Sequence, residues 1–148
     1  MMSRIANRKH KGFTLIEMLI VIVVIAILAL IVIPRLLGAG RKAKEAALRG
    51  DLHQIRNAIQ QFEADMGDYP AALSDLMSAK PYAGNATGGQ GLSLDPQGYQ
   101  GPYLRTANNA LPSDPFTGAP DWAYTATTGD VVSASTLTAL DGTSYSAW

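Results

Sequence analysis

The chain has 148 residues and no cysteine, which excludes disulfide bonds, thiolate metal sites and a cysteine nucleophile. Its formal net charge is zero, but the charges are unevenly distributed along the chain. Residues 1–12 contain basic side chains and no acid, whereas the segment 57–148 is acidic overall and contains only two basic side chains, Lys80 and Arg105. This distal part does not suit phosphate neutralisation, so no nucleic-acid partner is expected.

A long apolar run follows the basic leader. It extends from Phe13 to Ile33, 21 residues, and contains one charged residue, Glu17. This length predicts a membrane-spanning helix. A cleaved secretory signal has an apolar core of roughly 7–15 residues before a small-residue cleavage site, and this run is longer. A simple signal anchor remains an alternative, and positive residues at both ends of the run leave its orientation open.

Glu17 lies only four residues inside the apolar run. A carboxylate at the centre of a membrane costs roughly 2.5–3.5 kcal/mol, so it either lies near the interface or has a cationic partner. If the chain were cut between Gly12 and Phe13, the new amine of Phe13 would lie one helical turn from Glu17. The same amine on an axially shifted neighbour would pair with Glu17 and set the register of an assembly.

The residues around this junction resemble a known motif. Lys11 to Leu19 reads KGFTLIEML, which closely resembles the prepilin cleavage and methylation motif of type IV pilins and type II secretion pseudopilins. The resemblance implies a prepilin peptidase that cuts after Gly12 and methylates the Phe13 amine. It also implies a cytoplasmic leader, and filament-assembly roles for Phe13, Glu17 and the helix-bending residue Pro34.

A second helical pattern follows the apolar run. Pro34 and the two glycines after it predict a kink or weak point between Ile33 and Arg41. Apolar residues then recur at spacings of four and three, which predicts one buried helical stripe: Leu48, Leu52, Ile55, Ile59, Phe62 and Met66. Gly67 is expected to cap this helix, and Pro70 prevents its continuation.

The remaining chain predicts short elements and long loops. We expect a short helix over Pro70–Ser78 and a glycine-rich loop over Lys80–Tyr99. Trp122–Thr127 and Asp130–Ser135 predict a hairpin that turns at Thr128 and Gly129. Residues 136–148 are interpreted as coil or a last short strand.

Three fragments of this distal region resemble the major pseudopilin of type II secretion: Gly67-Asp68-Tyr69-Pro70, Gly101-Pro102-Tyr103-Leu104, and Leu111-Pro112-Ser113-Asp114-Pro115-Phe116 followed by Gly118 and Tyr124. The resemblance implies an α+β pilin fold, in which a long N-terminal α-helix packs on a small antiparallel β-sheet. The chain would comprise a cleaved leader (1–12), a transmembrane and filament-core helix (13–33), an amphipathic half of that helix (34–66) and a globular head (67–148).

Calcium is the one cofactor considered. The ion takes six to eight oxygen ligands, and the candidates are Asp130, Ser133, Asp141 and Thr143. The spacing itself gives no support, because no EF-hand pattern is present. The family resemblance implies calcium in the final loop, although this segment has only Asp141 where a more acidic loop would be expected. Asp114 is expected to cap a turn instead.

No grouping of residues indicates an enzyme. Two classes of function remain: a structural subunit of a pilus-like filament, or a monomeric membrane-anchored binding module. The Gly12-Phe13 junction and Glu17 favour the filament subunit, since an anchor alone needs neither. The small, cysteine-free head and the Asp-Pro-Phe-x-Gly segment favour a secretion pseudopilin over a type IV pilin of a surface or DNA-uptake pilus.

The resemblance also implies partners and a location. The partners are further copies of the chain, minor pseudopilins or pilins, the prepilin peptidase, an inner-membrane assembly platform and membrane lipid. The protein would cross the bacterial inner membrane once, with its head in the periplasm. Its filament would lie in the periplasm or reach the cell surface.

Overall fold

The structure is a computed structural model that describes residues 12–106 and 108–148, without the side chains of residues 35–37. Residues 1–11 of the predicted leader lie outside the described residues. One helix, α1, extends from Leu15 to Met66, over 52 residues. It continues through Pro34 without interruption, and the chain divides into two compact units between Gly40 and Arg41.

The first unit contains the apolar start of α1. Its large hydrophobic side chains, from Leu15 to Ile33, are exposed, most of them by about half or more of their surface. Among the described residues, α1 is the helix that is both long enough and apolar enough to cross a membrane. An apolar surface of this extent is stable only against lipid or against other apolar helices.

The second unit is built on the amphipathic half of α1. The predicted stripe is buried: Leu48, Leu52, Ile55, Ile59, Phe62 and Met66 are each at most 5% exposed. Side chains from the rest of this unit complete the core, among them Leu76, Leu104, Val131 and Tyr145. The helix ends as predicted, because Gly67 has a positive φ of 81° and donates its amide N–H to the Glu63 carbonyl at 2.8 Å.

The head contains little regular structure beyond α1. The predicted short helix is a 3₁₀ turn over Leu73–Met77. Strands β1 (Ala123–Thr125) and β2 (Asp130–Val132) form an antiparallel pair in which Tyr124 lies opposite Val131. An isolated bridge links Thr138 to Ser144, and a second 3₁₀ turn covers Tyr145–Ala147.

The hairpin therefore turns where the sequence predicted, but both strands are shorter than expected. Ser133 shows the reason on the β2 side. Its hydroxyl accepts the amide N–H of Ser135 at 3.0 Å and donates to the carboxylate of Asp114. Local side-chain bonds of this kind compete with the ladder of a strand, so β2 ends at Val132.

The sheet packs on the long helix. Val131 is fully buried in the same core as the α1 stripe, and the guanidinium of Arg56 on α1 donates to the Val131 carbonyl at 2.8 Å. The predicted α+β architecture, a long N-terminal helix with a small antiparallel sheet, is confirmed.

Candidate functional site

The residues of the predicted cleavage and methylation site lie directly before α1. Thr14 caps the helix, since its carbonyl and its hydroxyl both accept the amide N–H of Glu17, at 3.1 and 3.3 Å. Phe13 is 74% exposed. A methyl group added at Gly12 would meet no atom of the described chain within 4 Å. The fold therefore does not explain why residue 12 is a glycine.

Glu17 is the one acid among the apolar side chains that begin α1. It lies in the first turn of the helix, and its side chain is exposed. The N-terminal end of the helix dipole favours a carboxylate in this turn. Ile16 and Met18 on either side are exposed as well, by 67% and 43%. Pro34, the third predicted assembly residue, lies exposed inside the same helix.

The four candidate calcium ligands have different surroundings. Asp141 and Thr143 are together: Oδ1 of Asp141 accepts both the amide N–H of Thr143, at 2.9 Å, and its hydroxyl, at 2.6 Å. Ser133 is buried, and its hydroxyl donates to Asp114. Asp130 is the exposed first residue of β2, paired with Thr125.

Among the four residues, hydrogen bonds in the described structure directly link only Asp141 and Thr143. Ser133 is committed to a buried carboxylate, and Thr143 is committed to Asp141. Within the described ranges, no group of three or more His, Asp or Glu side chains is placed to share a metal ion. Calcium binding and its four candidate ligands stay predictions.

Two family models cover the two parts of the chain. The prokaryotic N-terminal methylation motif matches residues 7–33, and type II secretion system protein G matches residues 35–138, more than half of the chain. The chain belongs to the type II secretion system protein G family. This is the family of the major pseudopilin, and the resemblance drawn from the sequence motifs is confirmed.

Individual pseudopilins are similar over most of the chain. The type II secretion system core protein G of Aeromonas hydrophila is 32% identical over 113 residues, which cover 74% of this chain and 70% of the relative. The Klebsiella pneumoniae core protein G is 34% identical over 115 residues, covering 74% and 71%. The type IV wide pilus major component PilA4 of Thermus thermophilus is 39% identical over 71 residues, covering 48% and 54%. No solved structure matches the chain significantly.

The pseudopilin head contains three buried carboxylates, those of Asp68, Asp75 and Asp114. Asp114 caps a turn as predicted, because its Oδ1 accepts the amide N–H of Phe116 at 2.7 Å. The roles of the other two were not anticipated. Each accepts hydrogen bonds from a loop that is distant in the sequence. Beside these acids, the sequence showed only residues typical of turns, which do not reveal such long-range contacts.

The loop contacts of these two acids are made mainly by backbone amides. Oδ2 of Asp68 accepts the amide N–H groups of Gln90 and Leu92, both at 3.1 Å. Asp75 accepts the backbone N–H of Asn85 at 3.3 Å and its side-chain amide at 2.9 Å. These acids therefore fix the loop over residues 85–92 to the segment that follows α1, at Asp68 and at the 3₁₀ turn Leu73–Met77.

Two other acids have shifted pKa values with separate causes. Burial, followed by the negative charge of Asp114, raises the pKa of Asp51 on α1. The hydrogen bonds from Thr143 lower the pKa of Asp141, with a smaller contribution from the nearby guanidinium of Arg49.

Proposed function

We propose that this pseudopilin is a structural subunit of a pilus-like helical filament of a type II secretion system. A prepilin peptidase cuts it after Gly12 and methylates the Phe13 amine. The subunit waits in the inner membrane with its head in the periplasm, and an inner-membrane platform adds it to a filament that includes minor pseudopilins. The observation that carries the proposal is the exposed apolar surface of α1, interrupted only by Glu17.

The apolar surface supports two successive environments. About 20 apolar residues are needed to cross a bilayer as a helix, and the first part of α1 meets that length. After the subunit leaves the membrane, the same surface must pack against the corresponding helices of neighbouring subunits, because its exposure to water is unfavourable. Membrane lipid and further copies of the chain are therefore alternative partners for one surface.

Glu17 gives this helix packing its register. In the membrane the carboxylate lies in the first helical turn, near the interface and at the favourable end of the helix dipole. In a filament it would pair with the methylated Phe13 amine of an axially shifted neighbour. Removing one member of a buried ion pair destabilises the packed state by about 3–5 kcal/mol, and this loss would recur at every subunit of the filament.

Substitution of Glu17 tests this pairing. Glu17→Ala and the isosteric Glu17→Gln should leave membrane residence and leader cleavage normal and should abolish filaments on overexpression. Met18→Ala is the matched control, since it shortens the adjacent exposed side chain without changing charge. Normal filaments from both Glu17 variants would refute the pairing model, and failure to enter the membrane would assign Glu17 to targeting instead.

The leader junction has its own test. Mass spectrometry of filament subunits should find a chain that begins at N-methylated Phe13. A bulky residue at position 12 should block cleavage and leave full-length, membrane-bound, unassembled protein. The fold itself should survive, because a methyl group added at Gly12 meets no atom of the described chain within 4 Å. An intact leader on subunits taken from filaments would contradict the proposal.

A type IV pilus subunit is the second candidate, and it is favoured by the similarity to the wide-pilus component of Thermus thermophilus over about half of each chain. Deletion of the gene distinguishes the two. Loss of extracellular enzymes with surface pili unchanged supports the secretion pseudopilin, and loss of surface pili or DNA uptake with normal secretion supports the pilin.

A further inference from the structure

The last part of the chain, residues 137–148, is called the distal segment here. It contains little regular structure: one isolated bridge and one 3₁₀ turn. Four charged side chains of α1 contact it: those of Arg41, Glu45, Arg49 and Arg56. Their spacings of four, four and seven residues place them on one face of the helix. We call these four side chains the charged row.

Glu45 makes two hydrogen bonds to the distal segment. Its Oε1 accepts the amide N–H of Leu140 at 2.7 Å and the phenol hydroxyl of Tyr145 at 2.8 Å. Tyr145 is fully buried, and its ring stacks on Phe116 with centroids 4.2 Å apart. One carboxylate of α1 therefore holds the distal segment at two points five residues apart.

Arg49 closes a ring of contacts with the distal segment. Its guanidinium lies 3.9 Å from Oδ2 of Asp141 and 4.2 Å from the centroid of the Trp148 indole. The indole N–H donates to the Thr143 hydroxyl at 2.7 Å, and that hydroxyl donates to Oδ1 of Asp141 at 2.6 Å. The ion pair itself is exposed and contributes little alone, so the ring matters as a set of linked contacts.

Arg41 and Arg56 hold the two ends of the segment. The Arg41 guanidinium donates to the carbonyl of Thr138. The Arg56 guanidinium donates to the backbone oxygen of Trp148 and also to the carbonyl of Val131 in β2. The distal segment is thus bonded to α1 near its start, at its middle and near Trp148.

We infer that the charged row fixes the distal segment without calcium, the ion that the family resemblance implies for the final loop. A calcium ion needs several free oxygen ligands. Here Oδ1 of Asp141 accepts two bonds from Thr143, the Thr143 hydroxyl both donates and accepts, and a guanidinium lies beside Oδ2. The helix supplies the positive charge that a bound cation would otherwise bring to this segment.

Tryptophan fluorescence of the full-length chain in detergent micelles tests the inference. Both tryptophans of the sequence, Trp122 and Trp148, lie in the head, so the signal reports head unfolding and not the membrane helix. The wild type should melt at the same temperature in excess calcium and in excess chelator. An ion bound only by the folded state, at a hundredfold excess over its dissociation constant, would raise the melting temperature by on the order of 10 °C.

Variants of the charged row give the second measurement. Glu45→Ala should lower the melting temperature by about 5 °C or more, equally with calcium and with chelator. Glu45→Gln keeps one carbonyl acceptor and should fall between. Lys42→Ala is the matched control, because it removes an exposed charge from the same helical turn and should change melting by no more than about 2 °C.

Two results would overturn the inference. One is a melting temperature of the wild type that rises with calcium. The other is a Glu45→Ala variant that melts like Lys42→Ala. If Glu45→Ala does not fold, the calcium comparison on the wild type and the Glu45→Gln variant still decide the question, and neither bears on filament assembly.

Discussion

Asp114 and Ser133 form a buried pair that links two loops of the head. Both side chains are fully buried. Oδ2 of Asp114 accepts the Ser133 hydroxyl, and Oδ1 accepts the Phe116 amide N–H at 2.7 Å. Asp114→Ala would remove the carboxylate and leave both donors in an interior that water does not reach.

The magnitude follows from the number of bonds. A hydrogen bond to a charged group contributes about 1.5–3 kcal/mol, and a buried donor left without an acceptor costs about 1–3 kcal/mol. Asp114→Ala should therefore destabilise the head by about 3–5 kcal/mol. Ser133→Ala should cost about 1–3 kcal/mol, because it also removes the acceptor of the Ser135 amide N–H. The double variant should cost about 1–2 kcal/mol less than the sum of the two single changes, since both lose the same bond.

Urea unfolding of the full-length chain in detergent, followed by tryptophan fluorescence, measures all three free energies of unfolding. Asp121→Ala is the matched control, since Asp121 is exposed in the same region and should change the free energy by about 0.5 kcal/mol or less. The reasoning is refuted if Asp114→Ala costs less than about 1 kcal/mol, or if the single changes simply add.

Two further substitutions test the electrostatics and the packing of the head. Burial and the charge of Asp114 raise the pKa of Asp51 above its ordinary 3.8, so the folded head loses stability as the pH rises through the shifted value. Asp51→Asn should accordingly raise the melting temperature at neutral pH but not at a pH well below 3.8, and an equal effect at both would contradict this. Gly89→Ala would place a methyl group 2.0 Å from the Ala126 carbonyl oxygen and should lower the free energy of unfolding, measured with denaturant, by about 1–3 kcal/mol. Gly50→Ala is the control: a methyl group there meets no atom within 4 Å, so the substitution should raise the free energy of unfolding by about 0.5–1 kcal/mol. Similar values for the two variants would exclude the clash.

The long helix was predictable because its signal is repeated many times. Each apolar residue of the stripe from Leu48 to Met66 supports the same helical phase, and the whole stripe is buried. Gly67 then marks the end of the helix by its own conformation, a positive φ. Both features depend on residues close in sequence, which is the range over which periodicity and capping operate.

The strands and the candidate calcium ligands depended on longer-range contacts. The turn at Gly129 was local and was predicted, but β2 ends early because Ser133 bonds to Asp114, nineteen residues away in the chain. The same bond fixes the orientation of the Ser133 hydroxyl, one of the candidate ligands. Composition identified oxygen-bearing side chains in the final part of the chain, but only the packed loops determine which of them face one another.

Buried carboxylates explain how so irregular a head is held together. With no cysteine in the sequence and only two three-residue strands among the described residues, its loops cannot rely on disulfides or a wide sheet. A carboxylate can accept up to about four hydrogen bonds, which suits loop amides arriving from several directions.

Asp68 and Asp114 nevertheless differ in how strictly they need to be acids. At Asp68, Oδ2 accepts the N–H groups of both Gln90 and Leu92. Asparagine there would either turn its own N–H₂ toward these donors or leave them with a weaker, neutral acceptor. At Asp114, Oδ2 instead meets the Ser133 hydroxyl, which can rotate and accept a hydrogen bond from an asparagine amide. At Asp68 both oxygens accept backbone amides, so the N–H₂ of an asparagine would face a donor. At Asp114 backbone amides reach only Oδ1, so an asparagine can keep them on its oxygen and turn its N–H₂ toward Ser133.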